Sequence, residues 1–175
     1  MVGVDGKIRE ATALKICELT QKTPEFFVNE NNFKTFSNAT IDIDGNVCRL
    51  AISSAYNIQE NNEFSKFYAQ EMIEIIKIAL DEISKFTFRE KKYKINKQIF
   101  KIYWGLEALL SFHAYSDFTE LKNVLINCSK LPEYTVREKC AKVLCFCKKD
   151  SDLEDLIKQL KSDENYYVRS VLENY

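Results

Sequence analysis

The chain has 175 residues, 46% of them hydrophobic and 29% charged, and 25 Lys and Arg stand against 26 Asp and Glu for a formal net charge of −1. This composition excludes a disordered polyelectrolyte, and the near-neutral balance removes any global electrostatic case for nucleic acid. With only 4 Gly and 2 Pro there are too few turn formers for an all-β fold of this length.

After Asp5-Gly6, the residues Ile8, Ala11, Leu14, Cys17 and Leu19 recur at helical spacing and predict a first helix. Thr23-Pro24 reads as the start of a second, with Thr23 as cap, Pro24 in the first turn, and Phe26, Phe27, Phe33 and Phe36 as its bulk. Asp42, Asp44 and Gly45 mark a turn, and a third helix follows from Val47 through Leu50, Ala51, Ser54 and Ala55. Asn61-Asn62 opens a long helix through Phe64, Tyr68, Met72, Ile75, Ile76 and Ala79.

A basic run comes next: Lys85, Arg89, Lys91, Lys92, Lys94, Lys97 and Lys101, opposed only by Glu90. The helix that follows, with Ile99, Ile102, Tyr103, Leu106, Leu109, Leu110 and Phe112, is apolar nearly all round and is therefore expected at the centre. Ser116-Asp117 caps a helix carrying Phe118, Leu121, Val124, Leu125 and Cys128, and Pro132 ends it. Tyr134 to Cys147 is the next, with Val136, Cys140, Val143, Leu144 and Cys147 inward. Ser151 and Glu154 form a capping box before Leu153, Leu156 and Leu160, and Asp163-Glu164-Asn165 turns into a short last helix. The expectation is an all-α fold without sheet, with Leu14, Val47, Ile75, Ile99, Leu110, Leu125, Leu144 and Leu156 facing inward.

An aliphatic-arginine pair opens an apolar helix three times, at Ile8-Arg9, Val136-Arg137 and Val168-Arg169, with weaker copies from Val47 and Ile99. A unit returning every 30–50 residues or so is the mark of a solenoid. Asp163 followed by Val168-Arg169, after a helix with regular Leu spacing, resembles the HEAT repeat, in which an aspartate near the turn of a helical hairpin precedes a Val-Arg pair. The resemblance implies an α-α superhelix of about four to five hairpins. On this reading the whole chain, 1–175, is a single solenoid domain, irregular around 60–115 and nearest the family pattern over 116–175. It also implies that Arg9, Arg137, Asp163 and Arg169 form a structural ladder between neighbouring units. At Val47-Cys48-Arg49 the arginine is displaced by one position.

The six cysteines are expected to be reduced, buried packing residues, because Met1 to Lys7 has no signal-peptide pattern and the reading is cytoplasmic. Cys140, Cys145 and Cys147 lie too irregularly on one helix for a zinc knuckle, and His113 is the single histidine, so no metal is expected. No phosphate loop, metalloprotease motif or nucleophile elbow is present, and neither cofactor nor catalytic residues are assigned. No stretch is apolar enough to span a membrane.

Lys94, Lys97, Lys101 and Trp104 recur at helical spacing, placing three cations and an indole along one face, which suits an anionic partner. Lys139, Lys142 and Phe146 form a parallel stripe one unit on, expected opposite that helix's inward side. The preferred reading is a non-enzymatic scaffold that binds a protein partner, acidic in character, through its concave face. The alternative is a nucleic-acid binder with a basic groove, resembling the HEAT-like alkylpurine DNA glycosylases. A third, resting on fold alone, is a helper or lyase of the bilin-lyase-like HEAT group.

Overall fold

The computed structural model describes residues 5–85, 92–147 and 151–173, and the backbone alone at 151 and 152. The expected capping box at Ser151 and the Arg89 to Lys91 part of the basic run lie outside the described residues. Of those that are described, 81% are helical and none is in a strand.

Nine α-helices occur among them: α1 (Gly6–Lys22), α2 (Glu30–Thr40), α3 (Gly45–Asn57), α4 (Asn62–Ser84), α5 (Lys92–Phe112), α6 (Phe118–Cys128), α7 (Tyr134–Leu144), α8 (Ser151–Lys161) and α9 (Tyr166–Val171). Short 3-10 turns, Pro24–Phe26 and His113–Tyr115, follow α1 and α5. Local chemistry sets most of the starts. Asp5, Asn29, Asp44, Asn61, Asp117 and Asn165 each accept a hydrogen bond from a backbone N–H in the first turn that has no partner within the helix.

Thr23 does not cap α2. Its hydroxyl donates back to the Leu19 carbonyl at 3.1 Å, and Pro24 opens only a 3-10 turn, so α2 begins later, under Asn29.

The helices pack in two rows. One runs α1, α3, α5, α7, α9, each touching the next; the other runs α2, α4, α6, and the hairpins α2–α3, α4–α5, α6–α7 and α8–α9 join the rows. The long α4–α5 hairpin is the centre. Phe64, Tyr68, Met72, Ile73 and Ile76 of α4 meet Ile102, Leu106, Leu109 and Phe112 of α5, all wholly buried. Each such side chain contributes about 1.5–3 kcal/mol on burial. Gly105 permits the close approach, since a Cβ there would lie 2.9 Å from Ile76 Cγ1. The buried Tyr68 hydroxyl is satisfied by a 2.5 Å hydrogen bond shared with Thr40 Oγ1.

Of the expected inward residues, Val47, Leu125, Leu144 and Leu156 are buried, while Ile75, Ile99 and Leu110 are half-buried. Leu14 is 50% exposed and Ile8 57% exposed, against expectation. The register of α1 is turned so that Arg9, Ala13, Cys17 and Thr20 face inward, held there by Arg9 at one end and Asn57 at the other. A salt bridge and an amide contact thus override the more apolar face of the same helix.

Candidate functional site

Two sets of residues form candidate sites: the arginine–aspartate contacts and the lysine–aromatic faces of α5 and α7. Arg9 on α1 reaches the turn before α3, where its Nε lies 3.2 and 3.1 Å from the two Asp42 carboxylate oxygens. Arg137 on α7 does the same to the turn before α9, with Nε to Asp163 Oδ2 at 2.7 Å and Nη2 to Oδ1 at 3.0 Å. Its Nη1 also donates to the carbonyls of Leu131 and Pro132. A planar guanidinium satisfies this fork-shaped demand where an ammonium would not.

The hydrogen bonds from Arg137 hold the Asp163 carboxyl below the usual carboxylate range, against the opposing effect of burial, with the Asn165 N–H and the Arg137 charge adding to them. Arg169 makes no carboxylate contact among the described residues and instead ties down the carbonyls of Asp163 and Glu164. Asp42, the partner of Arg9, was read from sequence only as a turn former. The signal that would have revealed it is its distance of five residues from Val47, the same as Asp163 from Val168.

On α5, Lys94 and Lys97 are exposed, and Lys101 and Trp104 are half-buried. For Lys97 and Lys101 there is no ion-pair or hydrogen-bond partner among the described residues. Trp104 packs its indole edge on the start of α3, where a Cβ added to Gly45 would lie 3.3 Å from Cζ2. Phe100 and Tyr103 meet it edge-on, with ring centroids at 6.1 and 5.3 Å. The indole Nε1–H is buried and has no hydrogen-bond partner among the described residues. Tyr93, on the same helix, is 81% exposed. Cations in the first turn of a helix are opposed by the helix dipole, so Lys92 and Lys94 do not owe their place to helix stability.

The α7 stripe is not a single solvent-facing row. Lys139, expected outward, is 8% exposed and inserted between α7 and α5. Its ammonium pairs with Glu107 and lies 4.9 Å from the centroid of the Tyr103 ring. Burial alone would lower its pKa, but the Glu107 carboxylate and Tyr103 more than offset that and leave it raised. The physical reason is that α7 turns this side toward α5, which supplies a carboxylate and a π face for a cation.

Lys142 sits beside Glu138 at 2.5 Å, one turn back on its own helix. Phe146 is 59% exposed and stacks on His113 at 5.7 Å. The two stripes therefore do not join into a continuous basic groove through Lys139.

Among the described residues no group of three or more His, Cys, Asp or Glu could hold a metal ion. The six thiols are unbridged, five of them buried. Cys140 lies beside Cys128, Cys147 donates to the Val143 carbonyl, and His113 Nδ1 lies 3.2 Å from the Leu110 carbonyl, so these groups do not converge. No described helix is long and apolar enough to cross a membrane. No protein-family model, no curated protein and no solved structure matches the chain.

Proposed function

We propose that this protein is a HEAT-like α-solenoid scaffold that binds an acidic protein partner through the face of α5 carrying Lys97, Lys101 and Trp104. The observation that carries the reading is a contrast between lysines. Lys139 and Lys142 are held by Glu107 and Glu138, whereas Lys97 and Lys101 have no such partner among the described residues and flank an aromatic group. Such cations raise the local positive potential whatever the net charge of the chain. The half-buried ring of Trp104 adds apolar area of the kind found in interface centres. The two-row order of helices and the paired clamps Arg9–Asp42 and Arg137–Asp163 support the solenoid half of the proposal. Extended repeat surfaces commonly serve as binding faces.

A second reading, single-stranded nucleic acid, is favoured by Tyr93, whose exposed ring stands between Lys92 and Lys94 and is suited to base stacking. Trp104 is the single tryptophan and reports on the face directly. Its fluorescence is followed while a glutamate-rich peptide, and separately a single-stranded oligonucleotide, is titrated at about 50 and about 200 mM salt. The scaffold reading expects a saturable, salt-sensitive change with the peptide, lost in Lys97→Glu/Lys101→Glu with the thermal midpoint unmoved. A response to the oligonucleotide alone selects the second reading. No response to either at low salt overturns both.

A further inference from the structure

A second site lies away from α5, where α1, the Pro24–Phe26 turn, α2 and α3 meet around a cavity of about 160 Å³. Its innermost residues are small and buried: Ala13, Ala51 and Ser54, with Phe36 beside them. Ser54 is already satisfied by the Leu50 carbonyl, so this floor makes no polar demand on an occupant. Protein interiors close such spaces when side chains allow. Here the small residues Ala13 of α1, Ala39 of α2, and Ala51 and Ser54 of α3 leave it open.

Three phenyl rings surround the space. Phe27 and Phe36 meet at 6.4 Å in an edge-to-face arrangement, and Phe26 is 73% exposed at the mouth. Aromatic walls favour an aromatic guest, whose edges and faces complement theirs. Two polar side chains also line the site, Asn32, half-buried, and Thr35, exposed. The Asn32 side-chain amide and the Thr35 hydroxyl have no hydrogen-bond partner among the described residues. An apolar pocket with a few polar groups at its opening is the usual form of a small-ligand site. The pocket is half open, and its sheltered part sets the size of the group held there: drug-sized ligands fill roughly 300–1,000 Å³, whereas about 150 Å³ holds one benzene ring.

We propose that this cavity binds a single six-membered aromatic ring bearing one hydrogen-bonding substituent, with the ring among Phe26, Phe27 and Phe36 and the substituent held by Asn32 and Thr35. The proposal is independent of the α5 face. The shared chemistry is a phenol-like group, supplied either as a free small molecule or as a side chain of a polypeptide.

The test is ¹⁵N–¹H shift mapping on the full chain with phenol, toluene and N-acetyl-tyrosine amide as probes. Phenol or the capped amide should give saturable shifts at Ala13, Ala39 and Ala51, and the tighter of the two identifies the source. Ala51→Leu, which fills the floor, should abolish them. The accessible pair Asn32→Ala/Thr35→Ala keeps the fold and should weaken phenol roughly five- to tenfold while leaving toluene unchanged. No saturable shift at those three residues overturns the site. Toluene binding as tightly as phenol, or equal loss of both probes in the double variant, overturns the assigned role of Asn32 and Thr35 and with it the ligand class.

Discussion

Cys48 and Arg169 hold the same place in two separate turns. The Cys48 thiol donates to the Asp42 carbonyl at 3.1 Å and Arg169 Nη1 to the Asp163 carbonyl at 2.6 Å, each six residues upstream. The turns match further. Asp42 and Asp163 accept from the N–H groups of Asp44 and Asn165, and those residues in turn cap the N–H groups of Asn46 and Tyr167. A thiol is the weaker donor, so the α3 turn is the looser copy. Arg49, the displaced arginine of the sequence pattern, is exposed and bonds Asn46 instead. Cys48 thus stands at the position that Arg169 holds in the other turn, with an unrelated arginine next to it.

Asp163→Ala leaves the Arg137 guanidinium, 9% exposed, without its bidentate acceptor. We expect a loss of roughly 3 kcal/mol, the cost of breaking a buried pair, read as a lower urea midpoint. The pH dependence follows from the depressed Asp163 pKa. Stability from this pair is present above the ordinary aspartate value of about 3.9 and is lost as pH falls through the lower folded-state value. The variant should therefore show a flatter stability profile on that acid limb than the parent. An unchanged acid limb would show that the pair contributes nothing to stability.

Glu107→Ala strands the Lys139 ammonium between α5 and α7 and should cost about 3 kcal/mol, whereas Lys139→Met, which removes the charge and keeps the stem, should cost under about 1 kcal/mol. Chemical denaturation of the two variants side by side gives the comparison. The raised Lys139 pKa sets the sign: its contribution is complete below the unfolded value and disappears as pH rises through the folded one. Alkaline titration of the parent should thus show a loss that Lys139→Met lacks.

Gly105→Ala places a methyl group 2.9 Å from Ile76 Cγ1 and 3.1 Å from Cδ1. The α4–α5 interface is fully buried there, so the strain should reach about 1–3 kcal/mol despite the better helix propensity of alanine. Removing both contacted atoms as well, in Gly105→Ala/Ile76→Ala, should cost less than the sum of the two single changes. If the double variant is merely additive, the contact is not the cause.

The thiols should differ in reactivity. Burial, with the charges of Asp42 and Asp44, pushes the Cys48 thiol up to about 12, and burial together with Cys145 pushes Cys147 up to about 11. Cys140 is raised well above the ordinary range by burial and by Cys128. At pH 8 an aromatic disulfide reagent should label the half-buried Cys145 first, and Cys48 and Cys140 only on unfolding. Labelling of Cys48 or Cys140 in the native protein within seconds, located by peptide mapping, would refute this order.

Helix content and type were legible from the chain because apolar spacing, side-chain caps and scarce Gly and Pro act within a few residues. The long α4, with Phe64, Tyr68, Met72 and Ile76 at spacings of four, leaves no other way to bury those groups. The cap residues Asp44, Asn61 and Asp117 are equally local. The Arg9–Asp42 contact spans 33 residues, and its one local cue, the five-residue distance from Asp42 to Val47, is masked because Asp42 also serves its own turn.

Local pattern thus determined which segments are helical and where most of them begin. Which face of each helix turns inward was decided only when the helices met. Leu14 and Ile8 lost the inward side of α1 because Arg9 found Asp42, and Lys139 gained the inward side of α7 because α5 offered Glu107 and Tyr103. The cavity among Ala13, Phe36 and Ala51 likewise belongs to no single helix. A charge is placed by its partner and a void by all the surfaces around it, and neither is a property of neighbours in sequence.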